Sequence, residues 1–67
     1  MLEDLIALRQ YLKKSISDYL TIIEERERVH KINRYEDVVC IKLLGRIDGY
    51  VNIESYIDGI IRKNGGA

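Results

Sequence analysis

The sequence predicts an all-α fold: a two-helix antiparallel hairpin, about residues 2–31 and 34–63, that dimerises into a four-helix bundle or higher oligomer. Three observations support this fold class. The chain has no proline, and its first glycine is Gly45, which disfavours a turn-rich β fold. Apolar residues recur at steps of three and four, the spacing of a helix stripe. Two segments of nearly equal length flank one turn signal, as in a helical hairpin.

The first predicted helix carries an apolar stripe and favourable charges at both ends. Glu3 and Asp4 lie in its first turn, and Arg28 and His30 lie near its last, so both ends suit the helix dipole. The apolar stripe of this helix comprises Leu5, Leu8, Leu12, Ile16, Tyr19, Leu20, Ile22 and Ile23.

Asn33 and Glu36 predict the junction between the helices. Their spacing is that of a capping box, in which Asn33 accepts the Glu36 backbone N–H and Glu36 reaches back to the Asn33 N–H. Asparagine also tolerates the left-handed conformation that ends many helices. We therefore place the break at residues 30–34, with one unbroken helix through Ile32 as the alternative.

The second predicted helix has an inner apolar face. On a wheel of 100° per residue, this face comprises Val39, Leu43, Ile47, Tyr50, Ile57 and Ile61. Cys40 lies about 60° from its centre, and we interpret it as a small buried residue rather than a nucleophile. The helix is expected to end at residues 64–66. A single domain of residues 1–64 then precedes a flexible tail of residues 65–67.

The opposite side of this helix combines glycines with apolar residues. Each glycine inside a helix costs about 1 kcal/mol relative to alanine, so three of them call for a reason. A surface without side chains lets another backbone approach closely, and we favour a second copy of the chain as that neighbour. Relief of crowding inside the hairpin and a groove for a flat ligand are the alternatives. The predicted oligomer interface comprises Val38, Ile41, Gly45, Gly49, Asn52, Tyr56 and Gly59.

Two other structures compete with the second helix. Asp48-Gly49 and Asp58-Gly59 are hairpin-turn signals, which would make residues 38–41 and 50–57 strands. Strict alternation fails in both segments, so we favour the helix. A helix-turn-helix with its turn at residues 49–51 would need a basic recognition helix, which the sequence does not contain.

Size and charge narrow the classes of function. The 67 residues carry 11 basic and 11 acidic side chains, which counts against nucleic-acid or membrane-surface binding. The acidic N-terminus lacks a signal-peptide pattern, and no apolar run could cross a membrane, so we expect a cytoplasmic location. So small a chain needs disulfides, a metal or oligomerisation. With one cysteine and one histidine, oligomerisation remains.

The sequence predicts no catalytic group, no metal and no cofactor. His30 is the one histidine, and we interpret it as a surface cation at a helix end. Glu27 and His30 form a Glu-x-x-His pattern, half of a di-metal carboxylate site, for which Glu36 or Glu54 would have to supply a further ligand. The flanking arginines argue against a metal there.

Lys42, Arg46 and Tyr56 are the candidate ligand-binding residues. They edge the predicted glycine surface, and an aromatic ring with two cations could stack a base and hold a phosphate. Tyrosine and arginine are also common anchors of ordinary subunit interfaces, and we favour that interpretation.

Residues 43–50 (LLGRIDGY), followed by residues 56–57 and 60–61, resemble a pattern in small helical-hairpin proteins encoded by bacteriophages and prophages. The resemblance implies a phage or mobile-element origin and self-association through the Gly-x-x-x-Gly face. For a phage protein we expect an anti-defence role in the host cytoplasm. The expected function is a non-enzymatic binding module for a host protein. Some small helical phage proteins sequester cyclic nucleotides, so an oligomeric sponge for such an anion is the alternative. A small DNA-binding regulator is less favoured.

Overall fold

The chain forms a two-helix antiparallel hairpin. A computed structural model describes residues 2–65, with α1 spanning Leu2–His30 and α2 spanning Val38–Lys63. The hairpin measures 46 × 15 × 14 Å between its outermost backbone positions. Residues 2–65 contain no strand, and α2 runs unbroken through residues 48–51 and 58–59. The all-α hairpin is therefore confirmed, and the strand and helix-turn-helix alternatives are wrong.

Only part of the predicted α1 stripe faces α2. Leu12 and Ile23 are buried, whereas Leu8 and Ile22 are 43% and 44% exposed, so the apolar stripe is wider than the contact with α2. The two exposed residues lie about 40–100° around the helix from the buried pair. A single neighbouring helix covers too little of the circumference to reach them. The half-buried members of the stripe are Leu5, Ile16, Tyr19 and Leu20.

Residues 31–37 form the junction. Lys31 adopts a left-handed conformation with φ of 52°, so it takes the place predicted for Asn33 at the end of α1. The Asn33 carbonyl accepts the backbone N–H groups of Glu36 and Asp37 at 3.0 and 3.1 Å. Its side-chain oxygen accepts the Tyr35 N–H at 2.9 Å. Asn33 therefore organises a turn between the helices and does not cap α2.

Asp37 is the N-cap of α2. Its carboxylate accepts the Cys40 backbone N–H at 3.0 Å, so the predicted capping box of Asn33 and Glu36 and the start at residue 34 are wrong. Aspartate caps helices as well as asparagine does, and Asp37 also pairs with Arg26 on α1. This additional partner favours the later start.

The C-terminus of α2 is capped as expected. The Asn64 side-chain amide donates to the Ile60 carbonyl at 2.8 Å, and Gly65 has φ of 79°. Asn64 is the C-cap residue. The remainder of the predicted tail, residues 66 and 67, lies outside the described residues, as does residue 1.

The inner face of α2 differs from the prediction at one position. Ile57 and Ile61 are buried, but Val39 is 43% exposed and its inward assignment is wrong, while Cys40 is fully buried. The Asp37 cap and its ion pair orient the first turn of α2 so that position 40 points towards α1. The inner residues of intermediate burial are Leu43, Ile47 and Tyr50.

The hydrophobic core is small. Leu12, Ile57 and Ile61 form its main cluster, with four partly buried residues packed against it. Ile23 and Cys40 are the other buried hydrophobic side chains among residues 2–65. Five buried side chains are few for a chain of this length, so the single hairpin leaves much of its apolar surface in water. The residues packed on the main cluster are Leu2, Leu5, Ile6 and Tyr50.

Candidate functional site

The predicted interface residues share one exposed surface, which we call the outer face of α2. It comprises Val38, Ile41, Gly45, Gly49, Asn52, Tyr56 and Gly59, which fall within about 80° on the side opposite α1. Val38 is 64%, Ile41 48% and Tyr56 72% exposed. Apolar side chains at both ends therefore flank a central stretch that contains Gly45 and Gly49.

The glycines of the outer face touch nothing within the hairpin. A Cβ atom added at Gly45, Gly49 or Gly59 would meet no heavy atom within 4 Å. There is consequently no crowding for these residues to relieve, and the internal-packing alternative is wrong. Within one chain their cost to helix stability, about 1 kcal/mol each, has no compensating contact.

The three candidate ligand-binding residues are all exposed, but one chain does not bring them together. Tyr56 follows Arg46 by ten residues on the same helix, which separates them by about 15 Å along its axis. Tyr56 instead shares a shallow groove with Gly59, Ile60 and Lys63. The seven-residue spacing of Tyr56 and Lys63 is the sequence signal for this pairing.

A second exposed apolar surface, which sequence reasoning missed, spans both helices. We call it the broad face and define it by Leu8, Tyr11, Ile22, Val29, Val39 and Ile53, all of them 43–60% exposed. Helix periodicity places these residues on the side of the hairpin where the rings of Tyr19 and Tyr50 pack with centroids 5.9 Å apart. The heptad spacing of positions 8, 22 and 29 is the signal that could have identified it.

The environment of Tyr50 supports this placement. Hydrogen bonding with Tyr19 raises the pKa of the Tyr50 phenol, Tyr11 raises it further, and the charge of Arg46 lowers it. Tyr11 on α1 and Arg46 on α2 are therefore within electrostatic range of the Tyr50 phenol.

The opposite side of the hairpin carries ion pairs between the helices. The Arg9 guanidinium donates to Asp58 at 2.8 Å, and the Lys13 ammonium lies 3.5 Å from Glu54. Hydrogen bonding to Arg9 lowers the pKa of the Asp58 carboxyl. This ion-paired side fixes the register of α1 against α2 and has a very different chemistry from the broad face.

Two arginine side chains stabilise the junction, each through paired hydrogen bonds to a carboxylate. Arg26 donates from two nitrogens to the two Asp37 oxygens, both at 3.1 Å. This hydrogen bonding, together with the Cys40 N–H, lowers the pKa of Asp37 to about 2. Arg34 donates to Glu27 at 3.0 and 2.7 Å and lowers the pKa of that carboxyl.

The titratable candidates have structural partners. Burial raises the pKa of the Cys40 thiol, which disfavours the reactive thiolate, in line with its interpretation as a core residue. Glu27 is engaged by Arg34, and Glu54 pairs with Lys13, so neither is presented to a metal with His30. Residues 2–65 contain no group of three or more histidine, cysteine, aspartate or glutamate residues placed to hold an ion.

Comparisons with known proteins supply no family. No family model matches the chain, and no curated protein or solved structure matches it. Neither helix, over the described residues, is long and apolar enough to traverse a bilayer.

Proposed function

We propose that the protein is a non-enzymatic, self-associating helical module that acts by binding, and that its subunits meet through the outer face of α2. The observation that carries the proposal is the exposure of that face. Val38, Ile41 and Tyr56 lie in water on either side of glycines whose Cβ positions are empty.

The size of the core supports self-association. A chain of 67 residues buries five hydrophobic side chains within residues 2–65 and leaves eleven large ones exposed. Small domains are marginal when they bury so little, and association is one of the few remedies open to a chain with a single cysteine. Packing two outer faces together would cover part of this surface.

The glycines suit a close contact between two α2 helices. Without side chains at Gly45 and Gly49, two helix backbones can approach more closely than the usual interaxial distance of about 8–10 Å. Tyr56 at the edge of the face would then serve as an aromatic anchor. The contact energy would compensate for the poor helix propensity of glycine.

Sedimentation velocity over a range of concentrations tests the proposal. The wild-type chain should associate at micromolar concentration, whereas Gly45→Leu and Gly49→Leu should weaken association because each leucine holds the two backbones apart. Gln10→Leu, at an exposed position of α1, is the matched control and should associate as the wild type does.

Two results would contradict this assignment. A wild-type chain that stays monomeric at micromolar concentration would remove self-association altogether. If both glycine variants associate like the wild type, the outer face is not the contact. Circular dichroism of each variant must show an intact helix content for the comparison to be valid.

The resemblance of residues 43–61 to phage hairpin proteins supports a host protein as the target and the host cytoplasm as the location. A pull-down from a bacterial lysate with the wild-type chain, with Gly45→Leu as the control bait, would test this part of the proposal. Recovery of the same proteins by both baits would mean that the outer face does not take part in binding a target.

The groove beside Tyr56 favours a second candidate function, an oligomeric sponge for a cyclic nucleotide or similar anion. It presents an exposed aromatic ring next to Lys63. A ring for stacking and a cation for phosphate are the elements such a ligand requires. Thermal-shift measurements with a panel of cyclic nucleotides test this, and the absence of a shift at millimolar ligand would count against it.

A further inference from the structure

We propose that the broad face is a second self-association surface, on which two hairpins pack about a two-fold axis parallel to their helices. In this arrangement α1 of one copy lies antiparallel over α2 of the other. Every neighbouring pair of helices is then antiparallel, as in a four-helix bundle. The proposal rests on self-association, but it uses a surface distinct from the outer face of α2.

The dimensions of the face suit a weak, reversible contact. Its residues run from Leu8 to Val29 on α1, about 32 Å at 1.5 Å per residue, and the hairpin is 15 Å wide between backbone positions, so the face covers about 500 Å² per copy. Standard protein interfaces bury about 800 Å² per partner, and weaker ones bury less. The six residues that define the face are apolar and about half exposed. The Arg9–Asp58 and Lys13–Glu54 ion pairs lie on the opposite side, whereas Arg26, which pairs with Asp37, borders the face. A second copy would therefore cover apolar surface without reaching the Arg9 and Lys13 ion pairs.

The register of the hairpin determines which residues would meet. Arg9 and Asp58 lie at the same height along the hairpin axis, and so do Tyr19 and Tyr50. Extending this register towards the junction places Val29 at the height of Val39, and Glu25 at the height of Lys42. Rotation about a two-fold axis parallel to the helices does not change the height of a residue along the hairpin. Val29 of one copy therefore meets Val39 of the other.

A shallow groove on α1 lies where the second copy's α2 would pack. It is lined by Ile22, Glu25, Arg26, Val29 and His30. In the same register, Ile22 lies at the height of position 46 of α2, and Val29 lies at the height of position 39. Residues 39–46 of α2 in the second copy, which include Arg46, would therefore lie over this groove and cover both apolar side chains.

The charges at the edges of the broad face are complementary under this symmetry. The outer edge of α1 carries Glu25 and Asp18, whose ion pairs, with Arg28 at 4.0 Å and Lys14 at 3.2 Å, stay within α1. On α2 the exposed cation Lys42 lies at the outer edge of the face, and Arg46 lies within the face, between Val39 and Ile53. Neither cation forms an ion pair within residues 2–65.

The symmetry doubles the effect of this pairing. Glu25 of each copy faces Lys42 of the other, so the dimer contains the same contact twice. Within one chain these two side chains lie on opposite edges of the face. An interaction between them therefore reports contact between copies rather than stability of the hairpin.

Charge reversal tests the arrangement. Glu25→Lys and Lys42→Glu should each weaken dimerisation by roughly tenfold to thirtyfold, because two attractive pairs become repulsive. An equimolar mixture of the two variants should form a heterodimer, since each of its two contacts again joins opposite charges. Native mass spectrometry distinguishes the heterodimer by mass, and the double variant in one chain should regain wild-type affinity.

Glu24→Lys is the matched control, because it makes the same change one residue away, on the other side of α1. It should leave dimerisation unchanged. The arrangement is overturned if the charge reversals leave dimerisation unchanged, or if mixing the two variants does not restore a dimer.

Comparison with the glycine variants separates this proposal from the preceding one. Gly45→Leu should leave the heterodimer of the charge variants intact, because Gly45 lies about 80° around α2 from Ile53 of the broad face. If the glycine variants lose association while the charge variants keep it, the broad-face contact fails and the outer-face contact survives. If the charge variants lose association while the glycine variants keep it, the broad-face contact survives and the outer-face contact fails.

Discussion

Alanine at the three helical glycines should have opposite effects on the single hairpin and on its assembly. In the single hairpin, a Cβ at Gly45, Gly49 or Gly59 meets no atom within 4 Å, so alanine introduces no clash. Each change then contributes only its gain in helix propensity, about 0.5–1 kcal/mol. The triple variant should be more stable by about 1.5–3 kcal/mol, which raises the melting temperature by roughly 10 °C in a domain of this size.

In the proposed assembly the same methyl groups would lie between two closely packed backbones. The triple variant should therefore dissociate at a higher concentration than the wild type, although its hairpin melts later. Circular dichroism melts at the lowest usable concentration measure the hairpin, and sedimentation velocity at higher concentrations measures assembly. Gln10→Ala on α1 controls for a general effect of alanine.

The two measurements refute different steps of the reasoning. A lower melting temperature of the dilute triple variant would mean that the glycine positions are crowded in the hairpin after all. If assembly strengthens together with hairpin stability, the glycines do not lie in a contact between copies. Only a rise in stability combined with a loss of assembly agrees with both conclusions.

Two further predictions concern the junction. The pKa of Asp37 falls from 3.8 to about 2 on folding, so its contribution to stability is full above about pH 4 and is lost as pH falls towards 2. Asp37→Asn, which keeps a capping oxygen but loses the charge facing Arg26, should therefore be less stable than the wild type at pH 6, with a smaller difference at pH 2, in urea titrations. Lys31→Gly should raise stability by about 1 kcal/mol, because glycine adopts a φ of 52° without the steric cost of a Cβ, as thermal melts would show.

Controls for these variants come from the same chain. Asp48→Asn removes an exposed carboxylate of α2 and should leave the acid dependence of stability unchanged. If the stability of Asp37→Asn falls with pH as much as that of the wild type, the Arg26–Asp37 ion pair does not control the pH dependence of stability. Lys31→Ala keeps a Cβ in the left-handed position and should gain little. Equal gains for alanine and glycine would contradict a conformational origin.

The helices were predictable because their signals are local and redundant. The apolar spacing of α1 and α2, the acidic first turn of α1 and the Asn64-Gly65 ending each indicate helix without reference to a neighbour. The start of α2 was predicted wrongly because two good caps, Asn33 and Asp37, lie four residues apart. The choice between them depends on Arg26, which is eleven residues from Asp37 in sequence and becomes its neighbour only after folding.

Of the two exposed apolar surfaces, the outer face of α2 was predicted from the sequence and the broad face was not. A helical wheel shows which residues share a direction, and it placed the outer face of α2 opposite α1. It does not show how wide an arc one neighbour covers. Val39 was assigned inward, and it remains exposed on the broad face together with Leu8 and Ile22 of the α1 stripe.

The junction of residues 31–37 also separates folding from assembly in time. Closure of a loop of about ten residues takes about 10–100 ns, and helix formation takes about 0.1–1 µs. Typical association rate constants of 10⁵–10⁷ M⁻¹s⁻¹ give about 0.1–10 encounters per second at micromolar concentration. Closure of the hairpin and formation of its helices are therefore complete long before a molecule encounters a second copy. In the proposed association, two copies would meet as finished hairpins with the outer face of α2 already exposed to the solution.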